Sequence, residues 1–321
     1  MAVYLIGTLD TKGREIAFVR RQLQTRGIDV VVVDVGCLGN SEVAADVTRE
    51  AVFAAAGTSL AAVREAGDRG TAVTAAAQGI VKVIGSAFDE GRLQGILALG
   101  GSAGTTIGTA AMRMLPLGIP KVMVSTMASG QTRPYVGGRD IFMLNSVVDV
   151  AGINRISRTV LTQAAAAMAG MLNTINTDER DTQDRPLIAA TMFGVTTPCV
   201  LHAQSILETA GYEVLVFHAT GNGGEAMEGL IRDGLIAGVL DITTTELADE
   251  LVGGVLSAGP DRLTAAASCR SAAGDFRRSP GHGELRTAGD SSRTLSQSEV
   301  SRPQPYSHAD EDHSGRMPET R

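Results

Sequence analysis

Short apolar runs alternate with longer stretches of helical period along most of the chain. Val3 to Gly7 (VYLIG) is a run of strand length, and after TLDTKG the segment REIAFVRRQLQTRG sets Ile16, Val19, Arg20 and Leu23 at helical spacing. DVVVVDV, from Asp29, is β-branched almost throughout. Apolar on both faces, it predicts an inner strand of a parallel sheet covered by helices. An alanine-rich helical middle follows, then GILALG into GGSAGTTIGTAAMRML, PKVMVST into a glycine-bearing loop, IFMLNS, and the long helix GINRISRTVLTQAAAAMAGML. That order predicts a doubly wound, Rossmann-like α/β lobe over residues 1–172.

NTINTDERDTQDRP, Asn173 to Pro186, is polar with no apolar period and is expected to be a linker, 173–186. Alternation restarts with LIAATMFG, helix TTPCVLHAQSILETAG, strand YEVLVFHAT, loop GNGGEAME, helix GLIRDG, strand AGVLDIT and helix TTELADELVGGV. A second α/β lobe with its own parallel sheet is therefore expected over 187–268. Two such lobes hold ligands in the cleft between them, at the carboxyl ends of the strands. From Cys269 to Arg321 Ser, Arg, Gly, Pro and acidic residues dominate and Lys is absent. Too little of this tail is apolar to repay chain ordering, so 269–321 is expected to be disordered.

Charge and composition narrow the function. The formal net charge is −7, without the basic excess that counterion release on DNA or RNA requires, so no nucleic-acid partner is expected. Aromatic residues make up 3% of the chain, with no Trp and 38 Gly, which suits small-residue helices and glycine loops better than an aromatic-lined pocket. Cys37, Cys199 and Cys269 are odd in number and widely spaced, which predicts neither a disulfide framework nor a zinc site and fits a reducing, cytoplasmic setting. The opening MAVYLIGTLDTK has no charged leader region, and no apolar run reaches the length of a membrane span, so no membrane association is expected.

Two glycine loops carry the candidate chemistry. GGSAGTT, Gly100 to Thr106, lies between a buried strand and a helix, where free amides and the helix dipole favour an anion. Ser102, Thr105 and Thr106 add hydroxyls; the competing reading is a tight turn with a threonine cap. The GxxxxGK[ST] pattern is missing, so this is not a Walker loop. TGNGGEAME repeats the arrangement with Thr220, Gly221, Asn222, Gly223 and Gly224, and is read equally as an anion site or as a turn that needs glycine.

Other positions are weaker. In GTLDTKG, Lys12 can neutralise a phosphate and Asp10 can hold a metal or a hydroxyl, against a solvated Lys and a capping Asp. Asp34 occupies the place of a ribose-binding acid, but the loop before it is not GxGxxG. STMASGQT (Ser125 to Thr132) and DITTTELAD (Asp241 to Asp249) could line the cleft; in the latter Thr243 and Glu246 are expected to form a capping box, with Asp241 open. His218 and His202 read as structural, Cys199 as a buried, inert thiol, and His282, His308 and His313 as tail residues unfit for a metal site.

Taken in order, IGTLDTK, VVDVG, LGGSAGTT, LPLGIPKVMVSTMASGQT, SVVDVAGIN, TMFGVTTPCV, EVLVFHATGNGGEAMEGLI and GVLDITTTELADELVGGV resemble the Tm-1-like ATP-binding family, also called UPF0261, over roughly residues 3 to 265. The resemblance implies ATP in the amino-terminal lobe and self-association as a homodimer; some members occur with a TIM-barrel partner protein. It makes Gly100, Gly101, Ser102, Gly104, Thr105 and Thr106 the leading triphosphate loop, with Thr8, Asp10, Thr11 and Lys12 beside it and Ser125, Ser129, Gly130 and Gln131 closing the pocket. Thr220 to Gly224 become the loop of the second lobe. Mg2+ held by Asp10 or Asp241 would accompany the nucleotide. The alternatives are an interaction module stabilised by nucleotide and an enzyme of epimerase or glycosyltransferase type acting on a nucleotide sugar.

The chain departs from the family after Leu263, where members continue through segments like ALDMVNFGP and HNPTVTLMRT. HGELRT, His282 to Thr287, can be encoded so that a one-base displacement reads MVNFG, and QPYSHAD so that the same displacement reads NPTVMRT. A frameshift near residues 264 to 280 is the expectation, which would leave the second lobe incomplete; sequencing the genomic locus checks it.

Overall fold

The computed structural model describes residues 1–41, 43–175 and 185–272. In chain order the elements are β1 (Ala2–Gly7), α1 (Leu9–Gln24), β2 (Val30–Asp34), α2 (Arg49–Ala55), α3 (Leu60–Ala66), α4 (Arg69–Asp89), β3 (Leu93–Gly100), α5 (Ser102–Met114), β4 (Lys121–Ser125), α6 (Arg133–Val136), β5 (Phe142–Asn145) and α7 (Arg155–Ile175). Then come β6 (Leu187–Met192), a 3-10 turn, α8 (Thr197–Thr209), β7 (Glu213–His218), α9 (Asn222–Arg232), β8 (Gly238–Leu240), α10 (Thr245–Val252) and α11 (Ala265–Ala272). All strand pairs are parallel, in one sheet ordered β2-β1-β3-β4-β5 and another ordered β7-β6-β8. This is the α/β class expected from the alternation.

The first sheet is covered on both faces because its strands are apolar on both. Tyr4, Ile6, Val33, Ile96 and Ala98 pack against α2, α3, α4 and α5, while Val3, Leu5, Val32, Leu97 and Leu99 pack against α1 and α7. Ile16, Val19 and Leu23 of α1 are fully buried, and each such side chain contributes roughly 1.5–3 kcal/mol. Since β1 runs on to β2 through a helix on one face and β2 runs on to β3 through helices on the other, the connections diverge between β1 and β3. That divergence opens a crevice at the carboxyl ends of the strands. The smaller sheet repeats the device, with α8 on one face, α9 and α11 on the other, and divergence between β6 and β8.

Three expectations need revision. Helix α4 is, by length and composition, apolar enough to cross a membrane; the glycines and scattered polar residues within it hide this from a search for apolar runs, and Ala72, Ala76, Ile80 and Ile84 are instead taken up by the core. Packed structure continues past Ser268, because α11 runs to Ala272 and the Cys269 thiol meets Ile231 O at 3.5 Å. Helix α7 likewise extends past Leu172, to Ile175. The rest of the proposed linker up to residue 184, and the tail from residue 273 with its three histidines, lie outside the described residues.

The lobes meet through a few polar contacts. Arg139 binds Asp233 through both terminal nitrogens, and the Leu117 amide also donates to Asp233. The Arg133 guanidinium donates to Ser257 O at 2.9 Å.

Candidate functional site

At the crevice between β1 and β3 lies a cavity of about 560 Å³, within the range of small-molecule sites. Its floor is built from three strand ends: Thr8, Asp10, Thr11 and Lys12 after β1, Val35, Cys37 and Leu38 after β2, and Gly100, Gly101, Ser102 and Gly104 after β3. One wall comes from the α3–α4 junction, with Arg64, Asp68 and Arg69.

The floor exposes the amino end of α5. Gly101 is its N-cap, and a residue without a side chain cannot satisfy the first helical amides. Ser102, Ala103 and Gly104 N–H find no acceptor among the described residues, whereas Thr105 N already donates to Gly101 O. A Cβ at Gly100 would stand 2.9 Å from Gly104 Cα, so glycine permits the close strand-to-helix turn that aims these amides outward.

Charge around the floor is unevenly satisfied. Lys12, half-buried, and Arg69, exposed, make no ion pair among the described residues. Arg64 donates from Nε to Cys37 O at 2.7 Å. The Asp10 side chain is 2% exposed; its Oδ2 accepts from Leu38 N at 2.7 Å, with Arg49 3.9 Å away, while its Oδ1 is buried without a partner among the described residues. Asp34 anchors this floor from below, accepting from Leu9 N at 3.0 Å and Gly36 N at 2.9 Å and pairing with Arg49 Nε at 3.2 Å. Burial pushes its carboxyl above the ordinary value, against the pull of the two amides and Arg49. Engaged this way, Asp34 is no ribose ligand. Burial, and then the Asp10 charge, raise the Cys37 thiol, which keeps it protonated.

The residues named from sequence therefore divide. Thr8, Asp10, Thr11, Lys12, Gly100, Gly101, Ser102 and Gly104 converge on the cavity. Thr105 and Ser125 do not line it: their hydroxyls bond each other at 2.6 Å in the core, where they tie α5 to the end of β4. Thr106 turns its hydroxyl back to Ser102 O. Ser129, Gly130 and Gln131 are exposed and lie outside the cavity lining. Sequence reasoning missed Arg64, Asp68 and Arg69. Their signal was the break at Gly67, left-handed at φ 63°, followed by Asp68 capping α4 through Thr71 N.

The second glycine loop is occupied by the protein itself. Glu246 is fully buried and does not close a capping box; its Oε1 accepts from Gly221 N at 2.6 Å and Gly224 N at 3.1 Å. Thr243 likewise bonds Thr191 and Thr196 in place of a helix start. Glu246 Oε2 meets Arg262 Nε at 2.8 Å, and Arg262 also grips Asp241 with Nη1 at 2.6 Å and Nη2 at 2.8 Å. Burial pulls Arg262 down, but the hydrogen bonds to Asp241 and Glu246 outweigh it and hold the guanidinium above the ordinary arginine value. Asp241 is thus committed to Arg262 and Thr191 and not open to a metal. No group of three His, Cys, Asp or Glu among the described residues could hold one. The His218 ring meets Phe193 edge-on at 5.4 Å, His202 is exposed, and so is Cys199, which was expected to be buried: it falls on the outer side of α8.

Comparison with known proteins follows the same division. Residues 1–177 match the model of the uncharacterised protein family UPF0261, N-terminal domain, and residues 185–270 match that of its C-terminal domain. The chain belongs to the UPF0261 family. It is similar to a UPF0261 protein of Clostridium tetani, 49% identical over 264 residues, covering 82% of this chain and 65% of that protein. A UPF0261 protein of Rhizobium meliloti is 46% identical over 265 residues, with 83% and 65% covered. The tomato (Solanum lycopersicum) ToMV resistance protein Tm-1(GCR237) is 46% identical over 200 residues, which covers 61% of this chain and 26% of that protein. The chain thus spans 65% of the length of the bacterial relatives named here. Among solved structures, a Streptomyces glycosyltransferase complexed with thymidine diphosphate overlaps at TM-score 0.22 with 13% identity, covering 75% of this chain and 72% of that one. An overlap of that size carries no argument about function.

Proposed function

We propose that this chain binds a nucleotide, ATP, at the carboxyl rim of the first sheet, with the phosphates on the amino end of α5. The observation that supports this is the meeting, in one cavity, of three helix-start amides with no acceptor and two cations with no ion pair among the described residues. Amides fix the phosphate oxygens in direction, and Lys12 and Arg69 neutralise charge that the amides cannot. The buried, unpartnered Asp10 Oδ1 supplies an acceptor for a magnesium ion carried by the triphosphate. The apolar side of the same cavity, Val35, Val63, Ala72 and Ile107, takes the base. The second glycine loop has no part in this, since Glu246 already holds its amides.

Isothermal titration with ATP, ADP, UDP-glucose and NAD, each with magnesium, tests the reading. ATP and ADP bind, and Gly101→Val weakens both by at least about tenfold, an energy of about 1.4 kcal/mol. That position accepts a side chain, because an added Cβ meets only Thr126 Oγ1 at 3.8 Å and the backbone has φ −80°. The variant therefore folds while its side chain obstructs the amides. Folded protein that ignores millimolar ATP, or an unchanged affinity in the variant, overturns the reading. Preference for UDP-glucose or NAD replaces ATP with that ligand at the same site.

A further inference from the structure

The second sheet stops where the first continues. Its order β7-β6-β8 repeats β2-β1-β3 of the first sheet, in which α5 follows the third strand and leads to β4 on the far side of β3. In the second lobe α10 follows β8 in the same way, but no strand comes after it among the described residues. Strand β8 pairs with β6 through Gly238, Val239 and Leu240. Its other edge has no strand partner among the described residues, and an edge of this kind is a template for pairing.

Helix α10 is inverted for a surface helix. It buries its glutamate, Glu246, against the amides of Gly221 and Gly224, while Leu251 is 87% and Val252 76% exposed. Leu247, one turn before Leu251, is exposed as well, and so is Val255 just beyond the helix, at 86%. No residue of α10 enters either apolar core of the second lobe, whereas α5, its counterpart, buries Ile107, Ala111 and Met112. An amphipathic helix sets its apolar stripe against a core. On α10 that stripe has no cover among the described residues.

We infer that the open edge of β8 and the apolar stripe of α10 form one docking surface for a polypeptide segment. Its occupant is an apolar strand that pairs parallel to β8, with the helix that follows it, of the kind the UPF0261 relatives carry outside the stretch they share with this chain. A right-handed crossover through α10 puts the next parallel strand on the open edge of β8. There it lies against α10 as β4, through Met123, shares a core with Ile107 and Ala111 of α5. The relatives have the length for it. This chain meets the N-terminal and C-terminal family models in order, from residue 1 to residue 270, so the unmatched part of the relatives is placed after the second lobe. In the Clostridium tetani protein the match takes 264 residues and 65% of the length. The remainder is about half as long as the match, several times the roughly 30 residues of one strand-helix-strand unit.

Co-expression of the full chain with the unmatched carboxyl-terminal third of the C. tetani protein tests this without requiring the segment to fold alone. The two polypeptides co-purify, and hydrogen exchange slows by at least about tenfold across β8 and α10 relative to the chain by itself. Leu251→Gln and Val255→Gln replace side chains 87% and 86% exposed, so the chain loses no packing; together they weaken the complex by about tenfold or more. Ile156→Gln, at an exposed position of the first lobe, leaves it unchanged. Chain recovered without the segment, a complex that protects other surfaces, or an equal effect of all three substitutions overturns the proposal. Exchange at β8 and α10 as slow as at β6 in the chain by itself also overturns it, giving the surface to residues 273–321 in a monomer and to a second copy in a dimer. The surface shares no residue with the cavity proposed for ATP, so neither outcome bears on nucleotide binding.

Discussion

Replacing Arg262 by methionine should unfold the second lobe far more readily than its single position suggests. The guanidinium is buried and makes three short contacts, with Asp241 at 2.6 and 2.8 Å and with Glu246 at 2.8 Å, and a longer one of 3.4 Å with Glu228. It is the cation among three carboxylates, of which Glu228 and Glu246 are buried and Asp241 half-buried. Amides of Gly221, Gly224, Leu263 and Ala265 share the load, but they carry no formal charge. Removing one partner of a buried ion pair costs about 3–5 kcal/mol because the other charge stays behind unneutralised. Against a total stability of about 5–15 kcal/mol, that is a large fraction. Lysine at the same place keeps the charge yet cannot reach Asp241 and Glu246 together, so Arg262→Lys should lose about 1.5–3 kcal/mol, one hydrogen bond to a charged group. With no Trp in the chain, urea unfolding is best followed by far-ultraviolet circular dichroism. ATP affinity, measured below the transition, should stay within about twofold, since the cavity proposed for the nucleotide shares no residue with this cluster. If Arg262→Met is within about 1 kcal/mol of wild type, or equals Arg262→Lys, the guanidinium is not what holds the cluster.

Further outcomes are expected elsewhere. Gly79→Ala should cost about 1–3 kcal/mol, because the added Cβ lands on the Val52 carbonyl where α4 crosses α2. Gly170→Ala, in α7 with nothing within 4 Å of the added carbon, should stabilise by about 0.5–1 kcal/mol; chemical denaturation with the same sign for both would contradict the packing described. Lys12→Ala should weaken ATP by about tenfold or more, the effect of a lost contact to a charged group, and titration at rising salt should narrow the gap from wild type. Asp34 has its folded-state pKa raised above the ordinary 3.8. Between those two values the folded chain holds its proton more tightly than the unfolded chain, so this residue's contribution to stability falls as pH rises through the window. Asp34→Asn removes that component, and its stability should climb more steeply with pH than wild type's from pH 3.8 upward; parallel curves in a pH series of urea melts would refute the assignment.

Most of the first sheet was legible because its information is local. Runs such as Val30 to Val33 are apolar on both faces, and that predicts a strand between two helix layers; its place in the sheet was not legible, because the run expected inside the sheet forms its edge strand, β2, with Val30 and Val31 only half-buried. The α5 turn was legible for a related reason: a glycine pair closes a buried strand, and the close approach of Gly100 to Gly104 requires the first of the two. The α3–α4 wall was harder to see. Arg64 and Arg69 sit in an alanine-rich stretch that reads as generic helix, and only the fold of the β2–α2 loop brings Cys37 and Gly39 under Arg64. Likewise, Ser125 looked available as a hydroxyl beside the site until the pairing of β3 with β4 set it against Thr105.

The two glycine loops make the same point more sharply. Each follows a parallel strand, each opens a helix, and each lies beside a point where connections diverge. By local pattern they are equivalent anion sites. What separates them is Glu246, placed by α10 so that its carboxylate reaches Gly221 and Gly224 across 25 and 22 residues of sequence. Arg262, from the segment before α11, then fixes that carboxylate in place. An internal carboxylate on helix-start amides satisfies the same dipole that would otherwise attract a phosphate. The second loop is therefore a structural joint that spends its anion-binding capacity on its own fold, whereas the Ser102, Ala103 and Gly104 amides of the first have no acceptor among the described residues, which is why the proposed nucleotide is placed there.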